Sequence, residues 1–273
     1  MITLLTDFGL RDGYVAAMKG VIASLAPEVR VVDISHEVDP GGVRRGGMVW
    51  RAALPWFPRG TVHVGVVDPG VGSARRILAL EARGSIVLAP DNGLVSYALE
   101  RREVRRARSV ESRELFLEPV SDTFHGRDVF APVAARLARG LELEAVGPAA
   151  GEIEWHGLPP ARRRRRPAGV VEIRGEVVDT DRFGNATTNL APPRGARLLE
   201  IEIGSRRLDR LSRSYAEAGR GSPLAIVGSL GFVEIAVSGG SAAGELGIRV
   251  GDRVTGRWAE RSRAGGGGGK RRV

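Results

Sequence analysis

The pattern of apolar residues changes character halfway along this 273-residue chain. In the first half, short β-branched runs alternate with segments whose apolar residues recur at helical spacing. This alternation predicts an α/β fold with a central, mostly parallel sheet covered by helices. The predicted strands are Ile2–Thr6, Arg30–Ile34, Thr61–Val67 and Ile86–Ala89. Between the first two strands, Val15, Met18 and Ile22 mark a helix that ends before Pro27, which completes a βαβ unit.

A change in composition near residue 157 divides the chain into two predicted domains. Residues 1–158 form the N-terminal α/β domain, and residues 159–167 form a linker rich in proline and arginine. Short apolar segments separated by glycines then predict a C-terminal β-barrel domain over residues 168–260. These segments are Val170–Val178, Leu198–Ile203, Leu224–Val227, Phe232–Val237 and Val254–Trp258. Residues 261–273, with five consecutive glycines, are predicted to be a flexible tail.

The formal charge of +9 is concentrated in two segments. Arg162–Arg166 and residues 257–273 together account for all of it, so the rest of the chain is near neutral. Because charge runs are usually solvated, nucleic acid is not expected as a partner, although an accessory contact with an anionic partner stays open.

Composition also excludes several classes of protein. The chain has no cysteine, which rules out disulfides, thiolate nucleophiles and cysteine-ligated metals. No apolar run approaches the roughly 18–20 residues that span a bilayer, and the first residues do not resemble a secretion signal, so we expect a cytoplasmic protein with no membrane contact. Four scattered histidines predict no metal site, and the lack of a Walker or dinucleotide-binding motif argues against phosphoryl or hydride transfer.

Two acidic loops follow predicted strands, at the positions where α/β sheets place ligand-binding groups. Asp7 lies in Thr6-Asp7-Phe8-Gly9, and an acceptor there can hold a ribose diol. Asp68 lies in Asp68-Pro69-Gly70-Val71-Gly72, with Arg75 close by. An acid and a guanidinium on one tight loop favour a functional site, although both loops are also compatible with ordinary connecting turns.

Two further motifs of the first half carry candidate residues. Asn92 lies in Pro90-Asp91-Asn92-Gly93, whose Asn-Gly pair is also the strongest signal for a hairpin turn. His125 precedes a helix predicted over Val129–Arg139, and its glycine and charged neighbours could tune it to carry a proton, although a structural role stays open. The remaining histidines are interpreted as mostly structural: His36, His63 and His156.

The β-rich half has candidate residues in two loops. Asp181, Phe183 and Asn185 lie in one glycine turn, a combination that suits a ligand with a ring and a charged group. Ser229 lies in a loop of small residues that is weak evidence by itself. Polar hairpins without any ligand have similar sequences.

Five motifs, taken together and in order, resemble the S-adenosylmethionine hydroxide adenosyltransferase family, which is related to fluorinase and chlorinase enzymes. They are Thr6-Asp7-Phe8-Gly9, the segment from His63 to Gly72, Pro90-Asp91-Asn92-Gly93, Phe124-His125-Gly126-Arg127-Asp128 and Phe183-Gly184-Asn185. The resemblance runs from residue 2 to about residue 256. It implies an N-terminal α/β domain, a C-terminal β-barrel and no metal or organic cofactor. It also implies a homotrimer in which each active site lies between one subunit's N-terminal domain and a neighbour's C-terminal domain.

The resemblance implies roles for the matched residues. The family's hydrolytic set of an Asp, an Arg and a His corresponds to Asp68, Arg75 and His125. Asp7 would accept both ribose hydroxyls of the substrate, S-adenosylmethionine, and Asn92 would be a minor contact.

In the second domain, Asp181 and Ser229 would hold the amino-acid end of the substrate, with Phe183 and Asn185 near the adenine. The halogenase relatives have an arginine at position 230, where this chain has Leu230. The resemblance therefore does not say how the substrate carboxylate is held.

Four departures favour hydroxide over halide as the nucleophile. Halogenase relatives have tyrosine, threonine and serine where this chain has Asp68, Val71 and Gly126, and they carry an extra loop where the stretch between Asn92 and Val104 is short here. The predicted reaction is attack of an activated water on the ribose C5′, which releases adenosine and methionine. The alternatives are the halide-using version of this reaction, a non-catalytic nucleoside-binding regulatory module, and nucleic-acid binding through the arginine run.

Overall fold

The described part of the chain, residues 1–260 of the computed structural model, divides after Gly157 into two units. The predicted flexible tail, residues 261–273, lies outside the described residues. Within residues 1–260, no helix is long and apolar enough to cross a membrane.

The first unit alternates strands and helices, as predicted, and contains more elements than the sequence analysis identified. They are β1 (Ile2–Thr6), α1 (Tyr14–Leu25), β2 (Val31–Ser35), α2 (Val43–Ala53), β3 (Val62–Val66), β4 (Ile77–Ala82), β5 (Ser85–Pro90), α3 (Leu94–Ala98), β6 (Val104–Ser109) and α4 (Ala131–Ala138). A turn of π-helix, Gly126–Phe130, leads directly into α4.

The six strands form one sheet in the order β2-β1-β3-β5-β4-β6. The first four are parallel, and β4 is antiparallel to both of its neighbours. One face packs on α1 and α4 around Met18 and Val133, and the other packs on α2 and α3 around Trp50 and Leu94. Gly65 leaves room for the Trp50 ring, because a side chain at position 65 would collide with it. Burial on both faces explains why these strands appear as continuous apolar runs.

The second unit is a nearly closed, barrel-like sheet, which confirms the predicted β-barrel. Its elements are β7 (Arg162–Arg166), β8 (Val170–Thr180), β9 (Ala186–Thr188), β10 (Arg197–Ile203), β11 (Arg206–Leu208), β12 (Leu211–Ser212), β13 (Pro223–Val227), β14 (Val233–Val237), α5 (Ala242–Leu246) and β15 (Arg253–Ala259). The strand order is β11-β10-β15-β8-β9-β14-β13-β12, with β7 paired to β8. Trp258, Ile201 and Val233 lie in its core. One short helix, α5, also belongs to this unit, although every element predicted for this half was a strand.

The arginine run Arg162–Arg166 is a β-strand, so interpreting residues 159–167 as a linker is wrong for these five residues. The run pairs antiparallel with β8 in register from Arg162 to Arg166. Two carboxylates offset part of its charge: Arg166 contacts Glu172 at 2.9 Å, and Arg163 contacts Glu260 at 3.1 Å. A strand with charged side chains on both faces shows no hydrophobic alternation, which is why the pattern concealed it.

Candidate active site

Three candidate residues of the first unit follow three neighbouring parallel strands. Asp7 comes directly after β1, Asp68 comes after β3, and Asn92 comes after β5. Since β1, β3 and β5 lie side by side, their carboxyl ends meet at one edge of the sheet. This edge is where open α/β sheets bind ligands.

Arg75 joins Asp68 and His125 into one hydrogen-bonded group. Its Nε donates to both Asp68 oxygens, at 3.0 Å to Oδ1 and 2.8 Å to Oδ2. Its Nη2 donates to Asp68 Oδ2 and, at 2.8 Å, to His125 Nδ1. The side chains of Asp68 and Arg75 are only 3% and 11% exposed. A fixed positive charge therefore lies between a carboxylate and an imidazole, largely withdrawn from water.

The loop after β3 folds back so that Arg75 returns to Asp68. Backbone hydrogen bonds of 3.2 and 3.1 Å close two successive turns between them. Gly72 has a φ of +76°, and a side chain there would collide with the backbone of Asp122. The glycines of this loop therefore serve a turn that brings an acid and a guanidinium together.

The hydrogen bond from Arg75 defines the protonation state of His125. A guanidinium can only donate, so Nδ1 must accept, and the neutral ring carries its proton on Nε2. Burial and the positive charge of Arg75 lower the pKa of His125 from its ordinary value of 6.5, while the charges of Asp68 and Asp122 act in the opposite direction. His125 is therefore neutral at pH 7.

We expect His125 to titrate below pH 6.5. We also expect kcat to fall as the pH is lowered through this pKa, because a protonated Nδ1 cannot accept the hydrogen bond from Arg75. NMR titration of the ring signals, assigned with His125→Gln, measures the pKa, and kcat is followed over the same range. His63 is an internal control, since burial lowers its pKa to about 4. A His125 pKa above 6.5 would contradict the assigned state.

Asp7 lies close enough to Asp68 for their charges to interact. Its Oδ2 accepts a hydrogen bond from the Gly41 backbone N–H at 2.8 Å. Burial raises the pKa of Asp7, and the negative charge of Asp68 contributes in the same direction, against the hydrogen bond from Gly41. The Asp7 carboxylate is thus held in place, with acceptor capacity beyond this one hydrogen bond.

Asn92 stabilises the site from within the protein. Its Nδ2 donates to the Val67 carbonyl at 2.8 Å, directly before Asp68, and its Oδ1 accepts from the Leu94 backbone N–H at 3.2 Å. The hairpin interpretation of Asn92-Gly93 is wrong, because these residues connect β5 to α3 and Gly93 adopts a φ of +87°. Direct contact between Asn92 and substrate stays a prediction.

A cavity of about 520 Å³ borders Arg75 and His125. Ser73 and Asp122 contribute polar groups to its wall, and Phe116 contributes apolar surface. This volume has room for several water molecules beside the guanidinium and the imidazole.

In the second unit, one turn organises three candidate residues. Asp181 Oδ1 accepts from the backbone N–H groups of Phe183 and Asn185, at 2.9 and 2.8 Å, and its Oδ2 accepts from Asn185 Nδ2 at 2.9 Å. Phe183 is 75% exposed, which is unusual for a large aromatic side chain. A rigid turn thus presents an aromatic ring to the outside, as contact with a ring-bearing ligand would require.

Ser229 lies in a different turn, formed by residues 228–232 between β13 and β14, and closed by a hydrogen bond from Gly228 N–H to the Phe232 carbonyl at 2.9 Å. Beside it, Glu234 of β14 accepts a hydrogen bond from the Tyr215 hydroxyl at 3.0 Å. Nothing in the sequence pattern indicated this pair. Glu234 belongs to an alternating apolar strand, where a single acid looks like a solvent-facing position.

The remaining histidines make structural contacts. His63 and His36 lie buried, with Nδ1 within 2.8 Å of the hydroxyls of Thr3 and Thr6, and His156 contacts Glu154 at 2.7 Å. Over residues 1–260, no group of three or more His, Asp or Glu side chains could hold a metal ion. The expected independence from metals stays a prediction.

Matches to family models cover most of the chain. Residues 2–147 match the SAM hydroxide adenosyltransferase N-terminal domain, and residues 175–255 match the C-terminal domain of the same family. The chain therefore belongs to the SAM hydroxide adenosyltransferase family. It is the resemblance to this family that implied catalytic roles for Asp68, Arg75 and His125.

Individual relatives agree with this assignment. The chain is 43% identical to an (R)-S-adenosyl-L-methionine hydrolase of Salinispora tropica, with 93% of this chain and 96% of that protein covered. A protein of the same name from Thermus thermophilus is 42% identical, with 92% and 96% covered. An uncharacterized conserved protein of Thermotoga maritima has a similar crystal structure, with a TM-score of 0.82 and 35% identity over 93% of this chain and 99% of that one.

Fluorinases are more distant: that of Nocardia brasiliensis is 29% identical over 93% of this chain and 95% of its own length.

The structure adds a steric reason for the glycine at position 126. A Cβ atom there would lie 3.2 Å from both Phe8 and Met18, so a serine would fit only if these neighbours shifted.

Proposed function

We propose that this protein hydrolyses S-adenosyl-L-methionine to adenosine and L-methionine. The observation that carries the proposal is the hydrogen-bonded group of Asp68, Arg75 and His125 at the carboxyl edge of the sheet. The names of the relatives favour the (R) configuration at sulfur as the preferred substrate.

The chemistry requires an activated nucleophile more than an activated leaving group. A sulfonium departs as a neutral thioether and needs no proton, whereas water, with a pKa near 15.7, attacks poorly unless its developing negative charge is stabilised. The guanidinium of Arg75 supplies fixed positive charge that is already oriented before the reaction. As the water oxygen bonds to C5′ and the C5′–S bond breaks, one proton must leave the water.

We assign the proton acceptor to Asp68. The Nδ1 atom of His125 is occupied by Arg75 and its Nε2 atom carries a proton, so the neutral ring is a hydrogen-bond donor toward the water. Asp68 is an acceptor, and the fold holds it beside the same guanidinium. His125 thus orients the water while Asp68 takes its proton.

The experiment that tests the function uses the purified full chain and water labelled with oxygen-18. We expect the label at the 5′ oxygen of adenosine, because water attacks C5′, and we expect faster turnover of the (R) than of the (S) epimer. Mass spectrometry identifies the products, and a chelator is expected to leave the rate unchanged. Label in methionine would overturn the mechanism, and substrate binding without turnover would favour the regulatory-module alternative. Added fluoride or chloride should yield no 5′-haloadenosine.

We further propose that the chain assembles as a homotrimer. The support is the family resemblance, and native mass spectrometry tests it against the chain mass of 29.1 kDa. The cytoplasmic location stays a prediction.

A further inference from the structure

Glu234 and Tyr215 form a polar pair on the face of β14 that points away from the barrel core. Val233, Ile235 and Val237 of this strand are buried in the core, so Glu234 lies on the opposite face. The Tyr215 hydroxyl donates to Glu234 Oε2 at 3.0 Å. The pair is thus part of the surface of the second unit and does not contribute to its core.

Glu234 lies between the two turns that carry the residues predicted to hold the amino-acid end of the substrate. On one side it pairs in register with Thr187, two residues from Asn185 of the Asp181 turn. Along its own strand, Glu234 comes directly after Val233, which follows the turn that contains Ser229. At about 3.3 Å per residue, each turn is within roughly 7 Å of Glu234 along the strands.

Gly228 allows the Glu234 carboxylate to approach the Ser229 turn. A Cβ atom at position 228 would collide with Oε1 and Cδ of Glu234. The carboxylate therefore occupies the space that any other residue at 228 would fill. A hydrogen bond from Tyr215 on one oxygen and contact with this turn on the other hold it in one orientation.

Two acidic side chains of this region, Glu234 and Asp181, lie close enough for their charges to interact. The interactions that act on Glu234 within residues 1–260 include hydrogen bonds with Tyr215 and Thr187 and the charge of Asp181. Burial, together with the charge of Asp181, raises the pKa of Glu234, although Tyr215 and Thr187 hydrogen-bond to it. A positive group that binds a partly buried carboxylate beside a second acid offsets both the burial and the repulsion.

We propose that Glu234, held by Tyr215, binds the ammonium group of the substrate's amino-acid end and selects for sulfonium substrates that carry one. The proposal rests on the proposed function. With Leu230 at position 230, the Ser229 turn offers no cation to the substrate carboxylate. The neighbouring acid, Glu234, would contact the ammonium group of the same amino-acid end.

The test combines one variant with one substrate analogue. The analogue is the deaminated sulfonium, made from adenosine and 4-(methylthio)butanoate, which keeps the nucleoside, sulfonium and carboxylate but lacks the ammonium. For Glu234→Gln, we expect KM for S-adenosylmethionine to rise by about 10- to 100-fold with kcat nearly unchanged. For the analogue, we expect wild type and variant to differ by less than about 2-fold, because the lost charge has no partner there.

Two controls separate this role from a structural one. Glu217→Gln removes an exposed negative charge from the same segment as Tyr215 while keeping an acceptor for the Arg213 backbone N–H, and should leave both substrates unaffected. Tyr215→Phe keeps the carboxylate but removes its donor, and should raise KM for S-adenosylmethionine only, by less than Glu234→Gln does. An equal loss on both substrates, or no loss on either, overturns the proposal. If wild type itself fails to cleave S-adenosylmethionine, the proposed function fails first, and calorimetric binding of the two ligands then tests Glu234 independently.

Discussion

Replacing Arg75 by alanine is expected to lower kcat by about 10²–10⁴-fold, the range in which positioned catalytic groups act. Arg75 hydrogen-bonds to both Asp68 and His125, so its loss removes the fixed charge and the orientation of both partners together. Single-turnover kinetics at saturating S-adenosylmethionine measure the chemical step, and substrate binding is expected to survive.

Conservative variants distinguish charge from geometry at this position. Arg75→Lys keeps the positive charge but cannot donate to Asp68 and His125 in the same fork, so we expect an intermediate rate. Asp68→Asn and His125→Ala should each lower kcat over the same range as Arg75→Ala. Alanine at 75 leaves the Asp68 carboxylate buried without its arginine partner, which can destabilise the fold. The thermal unfolding of each variant is therefore measured together with its rate. Near-wild-type turnover in folded Arg75→Ala would remove Arg75 from the mechanism.

Replacing Asp7 by alanine is expected to weaken nucleoside binding by about 2–4 kcal/mol, or roughly 30- to 1000-fold in Kd, because a carboxylate that accepts two hydroxyls makes charge-assisted hydrogen bonds. Isothermal titration with adenosine measures the loss. The carboxylate is already fixed by Gly41, so little ordering is required when the ribose arrives.

The ribose hydroxyls themselves provide the control for Asp7. With 2′,3′-dideoxyadenosine, wild type and Asp7→Ala should bind equally, since the analogue has nothing for the carboxylate to accept. Asp12→Ala, which removes an exposed acid from the same loop, should bind adenosine as wild type does. Equal weakening of both ligands by Asp7→Ala would show that Asp7 supports the loop and does not contact the ribose.

Much of the fold was predictable because burial leaves a strong pattern. β1 and β3 are buried along their whole length, and the predicted bounds of both strands lie within one residue of the observed ones. Helix α2 was missed because its buried face includes Gly46 and Gly47, which contact Leu94 and Tyr97 of α3 and carry no apolar signal. Tertiary packing, which the local pattern does not contain, stabilises this helix.

The candidate site was predictable where a loop required a particular backbone. The loop from Asp68 to Arg75 was identified by its glycines, and the structure shows why position 72 needs one. Glu234 was not identified, because its importance depends on Tyr215 and Gly228, which are distant or unremarkable in sequence. Groups assembled from separate strands leave no local pattern.

The arginine strand β7 has a consequence for how the sheet of the second unit ends. Over the described residues, β7 pairs with β8 alone, so its other edge exposes unpaired backbone groups that could recruit a strand from a second molecule. Two such edges meeting would align ten guanidinium groups, and at ionic strengths near 0.1 M such repulsion acts over about 10 Å. The strand that extends the sheet thus also keeps a second molecule from pairing with it. This repulsion between β7 edges should weaken as the salt concentration rises.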